Sequence, residues 1–339
     1  MYRTIIYRSN MKKLYSLWVL VFCLAFTSCH EEDALTPTEG GIELRFEVPQ
    51  GNNSWDKDIA EIYNEYNVYL IYDKLTDADF NRTWTGGGLG ATYQGQGAQS
   101  DKMAEAYVKF MKTHVFSYLK GKQQIYDKIF PLYWYMGYNV NAVSKIEYGT
   151  LVMEFHSPLS TKFDGLDYWS LCMFGKADDG QQEEYFVPKT QKEYSQFRNM
   201  ILGHILTEAV KNGNIKVPEA FGSGLDHSTD IKAGYGDEED PNYYLFRGYP
   251  GTVNMTRFAS IIAPDDGLPP TNENAFIGYI TIQMMYNQEE IKQNYPADKY
   301  PLLAEKFKYV YNYMKDTYGI DLNELAVGPA DWETCNIEF

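Results

Sequence analysis

Histidine is scarce in this sequence, five among 339 residues, so each one is a candidate metal ligand or proton carrier. His204 and Glu208 stand four apart in the run Met200-Ile201-Leu202-Gly203-His204-Ile205-Leu206-Thr207-Glu208. On a helix that spacing puts both side chains on one face, where an imidazole and a carboxylate could share a Zn²⁺ ion. Asp226, His227 and Asp230 follow in a loop-like segment and would be the further donors of such a site. Against this stands the apolar stripe of the same helix, Ile201, Leu202, Ile205, Leu206 and Ala209, with His204 at its edge. A histidine so placed is more often a hydrogen-bonded packing residue, and that is the favoured expectation. His114 and His156 have no ligand-spaced partner and read as structural.

Other chemistries find less support. No Gly-x-Ser-x-Gly elbow occurs, and Cys172 has no evident His or Asn partner for nucleophilic work. Gly86, Gly87, Gly88, Gly90, Gly95 and Gly97 lack the Gly-Lys-Ser/Thr ending of a phosphate loop, so residues 74–100 read as a long flexible loop. The acidic Gly234–Asp240 stretch lacks the alternating ligands of a calcium loop. A glycosidase needs two carboxylates that meet in space, and 46 acidic residues leave any such pair unlocalised. Cys172 lies in the apolar run Tyr168–Phe174, and two readings stay open: a buried thiol, or a disulfide with Cys335. For binding rather than catalysis, Tyr235, Tyr243, Tyr244 and Arg247 are the candidate ligand contacts, because aromatic and Arg side chains dominate binding hot spots. The competing reading has these tyrosines covering the core beneath a long loop.

The N-terminus carries Met11-Lys12-Lys13, an apolar run from Leu14 to Phe26, and then Thr27-Ser28-Cys29. A charged start followed by a short apolar core marks an export signal, and that core is shorter than the roughly 20 residues needed to span a bilayer. Small residues before Cys29 point to lipoprotein processing, with residues 1–28 removed and Cys29 acylated. The next residues, His30-Glu31-Glu32-Asp33, resemble the surface-export signal of Bacteroidetes lipoproteins and otherwise read as a solvated tether through residue 40. Removing residues 1–28 takes the formal charge from −16 to −20, because four cations and no acid are lost. So acidic a surface repels phosphate backbones, which excludes nucleic acid as the expected partner.

The elements that must position these residues follow from periodicity. Residues 42–48 alternate apolar and charged side chains and predict a strand, Asp56–Tyr66 a helix, and Asn67–Tyr72 a second strand. Met103–Leu119 carries apolar residues three and four apart and predicts a core-facing helix. Strands are predicted at Phe130–Met136 and Thr150–Phe155, and helices at Lys192–Asn212, Glu273–Tyr286 and Leu302–Tyr318. The interleaving lacks the regular alternation of a doubly wound sheet and favours an α+β layer fold over residues 41–339, with a possible internal boundary near 190. Between Gly213 and Asn272 the chain is rich in Gly, Pro, Asp and Asn and predicts a long loop bordering any cleft.

The segment Lys308-Tyr309-Val310-Tyr311-Asn312-Tyr313-Met314-Lys315-Asp316-Thr317-Tyr318-Gly319-Ile320-Asp321-Leu322 resembles the substrate import-associated zinc metallohydrolases, a Bacteroidetes lipoprotein family encoded beside outer-membrane nutrient importers. The lipoprotein start, the early helix-strand unit and the central helix share the likeness. It implies a zincin-like fold whose central helix carries His-Glu-x-x-His, two histidines sharing a Zn²⁺ while the Glu activates the bound water. Here Met200 replaces the first His, Ile201 the Glu, and Thr207 a further His, leaving His204 alone. An acidic stretch of the family falls on Asn274-Ala275-Phe276-Ile277-Gly278, which has lost both end carboxylates. The resemblance thus implies a non-catalytic relative that needs no cofactor. It would be a surface lipoprotein of the outer membrane that binds a peptide or glycan nutrient, or a partner, near an importer. The alternative is a zinc hydrolase with an altered metal set around His204 and Glu208.

Overall fold

A computed structural model describes residues 44–83, 91–175 and 187–335. Cys29, the whole export signal, the acidic cluster after it and the glycines at 86–88 and 90 lie outside the described residues. Val48–Phe339 form one compact unit, and residues 44–47 belong to a separate one. The predicted strand over 42–48 is not found in its described part, where residues 44–48 run as bends and irregular chain. Among the described residues no helix is long and apolar enough to cross a membrane.

The chain enters the large unit through α1 (Ser54–Tyr66), started by a reciprocal Asn53–Asp56 capping box and ended by Asn67 in the left-handed conformation. Its Ile59, Ile62 and Tyr66 are buried. Next come β1 (Tyr69–Ile71), β2 (Thr92–Gly97) and α2 (Asp101–Phe110). A π-helical segment, Met111–Phe116, and one last α turn extend α2. β2 corrects the expectation of a flexible loop over 74–100, and its glycines serve packing. A Cβ at Gly95 would lie 2.9 Å from the Phe80 ring, and one at Gly97 would collide with the Tyr72 carbonyl.

β3 (Tyr133–Tyr148) is the spine of a six-stranded mixed sheet and far longer than its predicted stretch. Its first half lies parallel between β1 and β6 (Tyr168–Phe174), and its second half runs antiparallel to β2 and to β4 (Leu151–Pro158). The change of partners coincides with register shifts beside Gly137 and with Asn139 at positive φ, a bulge that re-aims the strand. β5 (Thr161–Lys162) pairs antiparallel with β6 and closes that side of the sheet. Trp134, Met136, Trp169 and Leu171 fill one face of the central strands and Tyr133, Tyr135, Tyr168 and Cys172 the other, all buried. Burial on both faces explains why neither strand shows a polar alternation in sequence.

α3 (Gln191–Lys211) starts at a Thr190–Glu193 capping box and packs on α4 (Asn272–Met285), which is buried continuously from Ala275 to Met284. α5 (Pro301–Tyr318) ends at Gly319 with φ 66°, and α6 (Leu322–Val327) follows; both pack on α4. The segment between α3 and α4 is mostly irregular, as its composition predicts, apart from a 3₁₀ turn and the ribbon of β7 (Thr252–Val253) and β8 (Ile261–Ile262). A mixed α+β architecture is thus established. Cys172 is a free thiol buried in β6, which settles the open choice in favour of the thiol, and burial pushes its pKa up to about 11.

Candidate functional site

A cleft of about 720 Å³ opens along α3. Glu193, Gln196, Phe197 and Met200, spaced i, i+3, i+4 and i+7, form one wall, the stripe that a 3.6-residue period produces. Pro158, Leu159, Ser160 and Thr161 form the opposite wall, and Thr256, Arg257 and Ala259 lie at the rim. The second wall is the outer edge of the sheet. Ser160 accepts a 2.8 Å bond from the Cys172 amide, and Thr161 sits opposite Leu171. Antiparallel alternation therefore turns the N–H and C=O of Thr161 away from β6.

Two polar side chains of this cleft are engaged within the protein, Glu193 and Thr256. The Glu193 carboxylate accepts from the amides of Lys189 at 2.7 Å and Thr190 at 3.0 Å, so it caps α3. Arg257 is exposed at the rim. Phe197 and Met200 are 7% and 3% exposed and give an apolar floor. A second hollow of about 460 Å³ shares Gln196 and Ala259 and continues toward Asn199, whose buried Oδ1 has no partner.

Zinc, which the family resemblance implies, does not fit these residues. Ile201 is fully buried in the core, and Met200 offers only a thioether. The His204 ring lies flat on Phe163 at 4.0 Å and 8° and takes the edge of Trp169 at 4.9 Å. Burial lowers the His204 pKa to about 4, with Glu208 opposing and Lys211 assisting. Glu208 itself pairs with Lys211 at 3.0 Å. Among the described residues no group of three or more His, Cys, Asp or Glu is arranged to hold a metal ion. The His204 ring is thus packed by aromatic contact with Phe163, just after β5, and with Trp169 of β6.

The loop candidates gather elsewhere. Asp226 accepts from Arg247 at 2.8 Å and from the Ser228 hydroxyl and amide, which hold its carboxyl well below the usual range. His227 bonds to Pro270 O and Asn272 Oδ1, both at 2.8 Å, and meets the Tyr249 hydroxyl at 3.1 Å. Tyr244 is buried against Tyr243, while Tyr235 is wholly exposed. None of Tyr235, Tyr243, Tyr244 or Arg247 lines the cleft along α3. The part of the long loop that does reach it is 256–259.

Sequence reasoning passed over Arg198, which pairs with the His114 that it read as structural. Arg198 is fully buried, donating to Leu325 O at 3.0 and 2.6 Å and to Nδ1 of His114 at 3.2 Å. Burial lowers its pKa to about 10, and desolvation with the Arg198 charge takes His114 to about 3. The signal was present: Arg198 precedes Ile201, Leu202 and Ile205 by three, four and seven residues and so shares their buried face.

No family model matches the chain, and no curated protein matches it. A solved structure from Bacteroides caccae ATCC 43185, described as a "putative zinc-binding metallo-peptidase", matches 80% of this chain and 88% of its own at 10% identity, with a TM-score of 0.42.

Proposed function

We propose that this chain is an exported, lipid-anchored protein of zincin-like descent that holds an extended peptide segment in the cleft along α3 without cutting it. The observation that carries this reading is the outward backbone of Thr161 on the edge strand β5, set beside an apolar floor of Phe197 and Met200. An extended peptide can add to such an edge through its own backbone, while alternate side chains enter the apolar floor. A glycan is less well served, because sugar rings stack on exposed aromatic faces and the cleft offers only the mostly buried Phe197. Met200 and Ile201 stand where the resembling family places a metal ligand and a general base, which supports binding without hydrolysis. The lipid anchor at Cys29, a surface-exposed place on the outer membrane and work beside a nutrient importer complete the proposal; their support is the export signal and the resemblance.

The test uses immobilised protein and a library of unstructured decapeptides. Native protein should retain peptides, and Thr161→Pro should cut retention at least tenfold, because proline removes the outward N–H at a strand position where it is tolerated. Equal retention by both, or retention of neutral oligosaccharides instead, would overturn the peptide reading. Protein purified without chelator should carry far less than one zinc per chain; stoichiometric zinc would establish the hydrolase alternative. Cys29→Ala should lose acyl labelling and leave the membrane fraction.

A further inference from the structure

The distal halves of β3 and β4 form a two-stranded ribbon with one apolar face and one charged face. Directly paired residues of an antiparallel ribbon share a face. Ser144 pairs with Phe155, Ile146 with Met153 and Tyr148 with Leu151. These alternate with Lys145 opposite Glu154 and Glu147 opposite Val152. On the charged side Glu154 lies 2.9 Å from both Lys145 and His156. On the apolar side Tyr148 is 81% exposed, Leu151 55%, Ile146 52%, Phe155 48% and Met153 39%. Nothing among the described residues covers this face.

We propose that the face docks on the same face of a second copy of this chain, around a two-fold axis through Ile146 and Met153. At about 200 Å² for a fully exposed large side chain, the five residues leave roughly 550 Å² of apolar surface uncovered. That is the upper end of what lone monomers show. Two such faces together remove about 1,100 Å², just above the ~1,000 Å² that a specific interface must clear. Size complementarity selects the arrangement. With the ribbons stacked antiparallel, Tyr148 at the tip lies over the small Ser144 at the partner's base, Leu151 lies over Phe155, and Ile146 and Met153 each meet their own copies. The bulky Tyr148 at each tip thus faces the small Ser144, which lets the two sheets close to the usual ~10 Å spacing. The Lys145–Glu154 pair and Glu147 stay on the outer surface, in water. This inference is independent of the peptide reading, which concerns the cleft.

The experiment treats the full-length chain, in the membranes that carry it, with a short bis-maleimide, using single cysteines at exposed positions. Ile146→Cys, on the axis, should give at least tenfold more cross-linked dimer than Lys145→Cys on the opposite face. Tyr148→Cys alone should cross-link weakly and recover when combined with Ser144→Cys. Wild-type protein sets the background from its native cysteines. Purified Met153→Asp should remain folded, with unchanged cleft binding, and sediment as a monomer at concentrations where wild type is a dimer. Equal cross-linking at 145 and 146, or none at either, would overturn the proposal. So would a wild-type monomer whose ribbon is labelled by an apolar carbene reagent dissolved in phosphatidylcholine vesicles, since that result would give the face to lipid.

Discussion

His204 shows how a single residue changes meaning once its neighbours are known. Stacked on Phe163 and edged by Trp169, it is kept neutral, with a pKa lowered to about 4 by burial. An unfolded histidine titrates near 6.5. Below that pH the unfolded chain binds a proton that the native chain refuses, so native stability falls as pH drops through the window from about 6.5 to 4. Each such histidine costs about 1.4 kcal/mol per pH unit there, and His114, lowered to about 3, acts in the same direction. His204→Phe preserves the stack and removes one titration. Urea unfolding at pH 7 and pH 5 should show the variant losing about 2 kcal/mol less than wild type between the two. An identical loss in both proteins would mean that the ring is protonated freely in the native state.

At the scale of elements, α3 owes its contact with the long loop to one glycine. A Cβ on Gly203 would come within 2.8 Å of the Phe258 ring and 2.9 Å of the Met255 methyl. Alanine gains about 1 kcal/mol of helix propensity over glycine, and the flexible Met255 end can yield. Phe258 is 2% exposed and cannot move without shifting its neighbours. Overpacking at such a point costs about 1–3 kcal/mol, so the steric term wins. Gly203→Ala should lower the melting temperature and also weaken peptide retention, because Thr256, Arg257 and Ala259 at the cleft rim belong to the displaced segment. Calorimetry showing a gain in stability would contradict this.

For the whole molecule, charge is the dominant long-range term. A net −16 means like charges repel across the folded surface. Salt shortens the range of that repulsion, to about 8 Å at physiological ionic strength. The melting temperature should therefore rise by a few degrees between 10 and 150 mM NaCl, measured by scanning calorimetry. A fall would show that the surface ion pairs, such as Lys112 with Asp58 and Arg82 with Asp167, outweigh the repulsion.

The sequence by itself determined what depends on near neighbours along the chain. Helices α1, α3 and α5 were legible because apolar stripes and helix stops are local: Ile59 and Ile62, Ile201 and Ile205, Gly319. What only the tertiary structure decided is set by contacts across long stretches of chain. The full length of β3 and the strand character of Thr92–Gly97 depend on partners in the sheet rather than on their own pattern. The Phe163 stack on His204 joins residues on different elements, as does the Leu325 carbonyl that satisfies Arg198. The cleft itself exists because residues 158–161, a stripe of α3 and residues 256–259 converge. Side chains brought together by packing over such separations leave no spacing in the sequence to be read, because the distance between them is fixed by the sheet and the helix that lie between.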